Sequence, residues 1–290
     1  MNEVAIIGGG PAGMAAALQL KRSGIDFLLL EKDAKGTLLK NAGKVENYLG
    51  FNATTGIELL KMFKAHLIQH NISPILEEVM FVDYEETQKR FKIRTNRTEY
   101  YARRVIVASG TVPKKLEIAK VTPLIAYELP PAHLKTREPQ KIAIIGAGDA
   151  AFDYALNLAE KHIVRIFNRG EKIKALPHLK KLVLQNKNIH YKDQLQLSEI
   201  EEEKSYLRLK FNDKNAKSIV VKVDLLLIAI GREIQKTYYS SNLKTKEKQL
   251  IMKKLLFLAG DVKNGLYRQV ALSTADGISI AMQICNECCL

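Results

Sequence analysis

The chain has 290 residues, with 45 Lys and Arg against 31 Asp and Glu, a formal net charge of +14. Hydrophobic residues make up 47% and charged residues 26%, so the chain can bury a core and global disorder is excluded. The three cysteines all lie in the last six residues, which excludes a disulfide-stapled fold and suits a reducing, cytoplasmic compartment.

No apolar run reaches the ~18 residues of a membrane span. The first residues carry no basic segment ahead of an apolar one, so neither a signal peptide nor a membrane partner is expected. The lysines are scattered and not interleaved with aromatics, which argues against nucleic acid and for a solvated basic surface able to steer acidic partners.

In chain order, Val4 to Ile7 reads as a strand, Gly8-Gly9-Gly10-Pro11-Ala12-Gly13 as a turn, Met14 to Arg22 as a helix, and Ile25 to Leu30 as a second strand closed by Glu31 and Lys32. The turn fits G-x-G-x-x-G. Gly8 permits the tight bend, Gly10 lets a pyrophosphate approach the backbone, and Gly13 lets helix pack on strand, while the helix start offers N–H donors. Glu31, 18 residues past Gly13, stands where a carboxylate accepts ribose hydroxyls.

Tyr84 to Tyr101 reads as hairpin material ending in the buried strand Val105 to Ala108, after which Ser109-Gly110-Thr111-Val112-Pro113 breaks the chain. A second unit of the same kind follows. Ile142 to Ile145 leads into Gly146-Ala147-Gly148-Asp149-Ala150-Ala151, a helix to about Lys161, and the strand Val164 to Phe167. Its strand end carries Asn168 and Arg169, with Lys172 and Lys174 beyond, in place of a carboxylate. That exchange favours the 2′-phosphate of NADPH, with NADH as the alternative. Hairpin strands at Tyr206 to Phe211 and Ile219 to Val223 then lead into Leu225 to Gly231. After a lysine-rich stretch come a strand at Leu255 to Leu258, Ala259-Gly260-Asp261, and a helix from about Gln269. The expected class is α/β, with two Rossmann-like domains whose parallel sheets carry β-hairpin insertions, and with boundaries near 112 and 238.

These motifs, with Val45-Glu46-Asn47-Tyr48-Leu49-Gly50-Phe51, Ala108-Ser109-Gly110, Ala229-Ile230-Gly231-Arg232 and Arg268-Gln269, occur in the order of the low-molecular-weight thioredoxin reductases, which the whole chain resembles. The resemblance implies a discontinuous FAD domain of residues 1–112 and 239–290, an inserted NAD(P)H domain of residues 113–238, and a homodimer. It further implies that Gly8, Gly10, Gly13 and Glu31 hold the ADP half of FAD, that Val79 contacts adenine, and that Asp261 contacts the ribityl chain. Asn47 would lie beside the isoalloxazine, and Arg268 with Gln269 at its N1–C2=O edge.

One departure matters. The family's C-x-x-C pair precedes the second glycine motif, yet Leu124 to Pro131 contains no cysteine. The expected activity is therefore hydride transfer from NAD(P)H to FAD, with electrons passing to an external carrier such as ferredoxin or flavodoxin. The alternatives are a thioredoxin or disulfide reductase working through Cys285, Cys288 and Cys289, and a non-catalytic redox sensor. Cys285 lies 16 residues past Gln269, which on a helix places it roughly 24 Å from the flavin. No metal site is expected, since the six histidines show no ligand spacing beyond His66 and His70.

Overall fold

A computed structural model describes residues 1–33, 37–129 and 138–288. Pro130 and Pro131 of the cysteine-free stretch, His133, one of the six histidines, and Cys289 lie outside the described residues. The chain forms two compact units, one of Met1–Lys40, Lys44–Val112 and Ile234–Leu290, the other of Asn41–Gly43 and Pro113–Glu233.

In the first unit, β1 (Asn2–Ile7) leads into α1 (Pro11–Arg22) and β2 (Phe27–Glu31). Val4 to Ile7 is an unbroken buried run, as befits a central parallel strand covered on both faces. Next come α2 (Gly56–Gln69), β3 (Ile75–Leu76), β4 (Val79–Glu85), β5 (Arg90–Thr95) and β6 (Glu99–Val107). A reciprocal Thr55–Glu58 capping box starts α2, and those hydrogen bonds hold the Glu58 carboxyl below its usual range. The sheet order is β3-β2-β1-β6-β5-β4. The separate hairpin strand and buried strand expected up to Ala108 are one element. β6 pairs antiparallel with β5 at its polar start and parallel with β1 at its apolar end, because no turn residue interrupts Tyr101 to Val105.

The chain leaves through β7 (Thr111–Pro113). The second unit contains β8 (Ile125–Ala126), β9 (Lys141–Ile145), α3 (Asp149–Leu158), β10 (Ile163–Phe167), α4 (Pro177–Gln185) and β11 (Ile189–Lys192). Then follow β12 (Gln196–Glu202), β13 (Leu207–Asn212), β14 (Ser218–Val223), β15 (Leu225–Ile228) and β16 (Arg232–Ile234). A five-stranded sheet has the order β11-β10-β9-β15-β8, and β12, β13 and β14 form an antiparallel sheet whose Phe211 stacks on Phe167 at 4.1 Å. Ser198, Glu199, Glu201 and Glu202 made β12 hard to see as a strand, because only its inner face needs to be apolar.

Back in the first unit stand α5 (Ser241–Met252), β17 (Leu256–Leu258) and α6 (Val270–Cys288). The lysine-rich stretch is a Ser240-capped helix that buries Leu243 and Leu250. β17 pairs with β6. The return crossing falls at Glu233/Ile234, ahead of the boundary at 238/239, because Tyr238 and Tyr239 are buried in the first unit's core and Val82 N donates to Tyr238 O at 2.8 Å. α6 lies directly on α1: a Cβ at Gly277 would stand 2.1 Å from Ala12 O.

Candidate functional site

The carboxyl ends of β1, β2, β6 and β17 gather the first set of motif residues, which is where ligands enter open α/β sheets. Gly8 has φ +107°, and a Cβ there would lie 2.4 Å from Ala108 O; one at Gly13 would lie 1.9 Å from Gly8 O. The turn is thus closed too tightly for any side chain at either position. Around Gly10, the N-cap of α1, there is more space: a Cβ would meet nothing nearer than the Thr37 methyl at 3.7 Å. No side chain caps α1, Pro11 stands at its start, and Ala12 is buried, so the first-turn N–H groups and the positive dipole end face an approaching anion.

Glu31 arches over this turn, its Oε2 accepting from Gly9 N at 2.6 Å and its Oε1 from Asp33 N at 3.0 Å. Lys32 Nζ stands 4.0 Å from Glu78 Oε1, next to Val79 at the start of β4. Beyond β6, Ala108 N donates to Ile7 O, Ser109 Oγ donates to Gln235 O at 2.6 Å, and Gly110 turns the chain with φ +66°. Tyr238 Oη donates to Ser109 Oγ at 2.9 Å, and burial pushes the Tyr238 hydroxyl pKa up.

Gly260 and Asp261 open a short 3-10 turn after β17. Asp276, which carried no motif signal, holds that turn from α6: its carboxylate accepts from Gly260 N at 3.1 Å, Asn264 Nδ2 at 2.7 Å and Lys263 Nζ at 2.6 Å. Ser273 Oγ reaches Asp261 Oδ1 at 3.4 Å. Asn47 Nδ2 donates to Gln269 Oε1 at 2.8 Å, joining two segments 222 residues apart at the start of α6. Beside them the Arg268 Nε is buried without a hydrogen-bond partner. A buried donor left over in this way is what a bound acceptor satisfies. With the open Gly10 and the uncapped α1, it fits a dinucleotide that carries a pyrophosphate and a hydrogen-bonding ring.

In the second unit Gly146 has φ +139°, and a Cβ there would lie 2.3 Å from Ala229 O, whereas Gly148, the N-cap of α3, has nothing within 4 Å of that position. Ala150 is exposed and Ala151 buried on the first turn of α3. Gly231, with φ +112°, accepts from Lys114 N at 3.0 Å. Arg169 and Lys172 are exposed on the loop after β10. Two side chains expected at the nucleotide also bond the protein. The Asp149 carboxylate accepts from Leu176 N at 2.7 Å, and the Asn168 amide donates to Lys172 O and Tyr191 Oη and accepts from Gly170 N.

Cys285 is half-buried and Cys288 exposed at the end of α6. The Cys288 thiol hydrogen-bonds Glu3 Oε1 at 3.7 Å, and Arg104 Nη1, paired with Glu3, donates to its sulfur at 3.5 Å. Burial pushes that thiol pKa up, away from thiolate character. Glu3 is the second residue of β1 while Gly8 follows its far end, five residues at ~3.3 Å each, so Cys288 and the glycine turn lie at opposite ends of that strand, about 17 Å apart. The rings of His66 and His70 are 5.2 Å apart on α2. Among the described residues no cluster of three potential ligands could hold a metal, and no helix is long and apolar enough to cross a membrane.

Residues 2–277 match the family of pyridine nucleotide-disulphide oxidoreductases. A thioredoxin reductase of Ureaplasma parvum is 28% identical over 299 residues, covering 97% of this chain and 94% of its own length. One from Bacillus subtilis is 28% identical over 303 residues, covering 97% and 92%. The crystal structure of T. acidophilum thioredoxin reductase superimposes with a TM-score of 0.86 over 100% of this chain and 99% of that one, at 24% identity, a likeness of fold.

Proposed function

Because this chain belongs to the pyridine nucleotide-disulphide oxidoreductases, we propose that it passes electrons from NADPH through FAD to an external acidic carrier of the ferredoxin or flavodoxin type, with no dithiol relay. It is an FAD-dependent oxidoreductase of the thioredoxin reductase type, with FAD and NADPH as cofactors. Bound FAD supplies the redox chemistry, taking a hydride from the nicotinamide and giving up electrons singly or in pairs.

The protein's share is binding and electrostatics. The α1 start and Gly8, Gly10 and Gly13 would hold the pyrophosphate, with Glu31 turning from Gly9 N to the ribose hydroxyls, and Lys32 and Val79 would flank the adenine. Ala108 to Gly110 and Asp261 would line the ribityl side. Asn47, Arg268 and Gln269 would present donors to the ring edge where negative charge develops on reduction, reinforced by the start of α6. On the other unit, Gly146, Gly148, Ala150, Ala151 and Gly231 would bound the nicotinamide dinucleotide, with Arg169 and Lys172 on its 2′-phosphate.

The observation that carries the acceptor assignment is the position of Cys288 against Glu3 and Arg104, together with the absence of cysteine from Leu124 to Leu129. The charge of +14 would steer an acidic carrier. A cytoplasmic homodimer is part of the proposal. Replacing Cys285, Cys288 and Cys289 together with Ser is expected to leave carrier reduction within about twofold, as for most substitutions away from a reacting centre. Anaerobic titration of the wild type should consume two electrons per flavin. Uptake of four by the wild type and two by the variant would instead establish a thiol relay to a thioredoxin-like or disulfide acceptor.

A further inference from the structure

The loop that follows β10 is tied down at both ends. Asn168 is buried at the strand terminus, where its backbone N–H donates to Lys192 O and its carbonyl accepts from Leu195 N. Its amide makes three further bonds: Nδ2 donates to Tyr191 Oη at 3.0 Å and to Lys172 O at 3.2 Å, and Oδ1 accepts from Gly170 N at 3.2 Å. At the far end Lys174 N donates to Ala147 O at 2.8 Å and Leu176 N to Asp149 Oδ1 at 2.7 Å, which draws the loop onto the glycine turn. Between these anchors Arg169 and Lys172 project into solvent, their backbones flanking the bonds that Asn168 makes.

Two long cationic side chains on a free loop would lose conformational entropy on closing around a phosphate, whereas a loop already fixed at residues 168, 170 and 172 has lost the backbone share in advance. Asn168, with both amide N–H donors committed to the protein, has no donor left to offer a ribose. We propose that Asn168, braced by Tyr191, is a positioning residue that presets the spacing of Arg169 and Lys172, and so sets the preference for a 2′-phosphorylated dinucleotide. This rests on the reading of Arg169 and Lys172 as the phosphate site.

The test uses the FAD-loaded protein and two probes that differ only in that group, adenosine 2′,5′-bisphosphate and 5′-AMP, with calorimetric affinities for each. Asn168→Ala should lower the affinity ratio of the two probes about tenfold while 5′-AMP binding stays within about twofold, the scale of one or two hydrogen bonds. Tyr191→Phe, which keeps the ring packed against Phe152 and removes only the hydroxyl, should lower the ratio about two- to threefold and covers the case in which Asn168→Ala does not fold. If both probes weaken together, or the ratio does not move, Asn168 is merely structural. The double variant Arg169→Ala with Lys172→Ala separates the two ideas. Should it leave the wild-type ratio unchanged, the phosphate reading itself is wrong; should it abolish the ratio while Asn168→Ala and Tyr191→Phe preserve it, only the positioning role is overturned.

Discussion

Gly13→Ala should yield a protein that retains no FAD after reconstitution and unfolds at markedly lower urea concentration. The added Cβ would sit 1.9 Å from Gly8 O and 3.3 Å from the Ile6 Cγ2 methyl. Neither neighbour can yield cheaply. Gly8 N is bonded to Leu30 O at 2.8 Å, its φ of +107° is already in glycine territory, and Ile6 is fully buried. The turn must open, at a cost of about 3 kcal/mol or more, the upper end of overpacking penalties. Opening moves the N–H groups of Gly9 and Gly10 that would face the pyrophosphate, so flavin binding fails with the geometry. Gly10→Ala is the informative contrast. Its φ of −75° suits any residue and its surroundings have room, so the fold should change by no more than about 0.5 kcal/mol while the methyl obstructs the close approach of a phosphate. Flavin absorbance after gel filtration and urea midpoints give both answers. Full FAD occupancy in Gly13→Ala would remove this turn from the site.

Loss of both Arg169 and Lys172 side chains beyond Cβ is expected to raise the Kd for NADPH about 100-fold and that for NADH no more than about threefold. Each cation contributes a charge-assisted bond of about 1.5–3 kcal/mol to a desolvated partner, less where water competes, and 1.4 kcal/mol is a factor of ten. Both residues are exposed in the structure, so the two together are set near the sum of their lower values. Raising the salt concentration should erode wild-type NADPH affinity more steeply than NADH affinity, since screening acts on the extra phosphate. Equilibrium titration of the oxidised protein measures all four constants. Equal losses for the two nucleotides would show that these residues do not read the phosphate.

The residues differ in how openly the sequence advertised them. Gly8, Gly13 and Gly146 could be read because their constraint is local: a positive φ or a neighbouring carbonyl excludes every other residue, and the motif spacing records it. The parallel strands β1 and β9 were equally plain, as buried runs without alternation. Asn168 could be placed at a strand end, but its partner Tyr191 lies 23 residues on, and nothing in an amide's identity tells whether it faces a ligand or the chain. Asp276 was missed for the same reason, acting 16 residues from the Gly260 it holds. α5 escaped because a surface helix needs only Leu243 and Leu250 inward, too few to mark a period amid lysines. Tyr238 was assigned to the other side of the boundary because turn-poor sequence gives no sign of which core the Tyr238–Tyr239 pair enters.

The interleaving of the two units along the chain imposes an order on biosynthesis. As the nascent polypeptide emerges from its amino end, residues 113–233 bring with them every strand of the second unit's sheets. The first unit must wait: β6 receives its neighbour β17 only after some 150 further residues, and α1 receives the helix that presses on Ala12 later still. Until then one edge of β6 and one flank of α1 are bare, held off from premature pairing while the intervening segment collapses by itself. Such distant closures are slow steps in folding. They make α6, synthesised some 260 residues after it, the helix that closes on the glycine turn of residues 8–13.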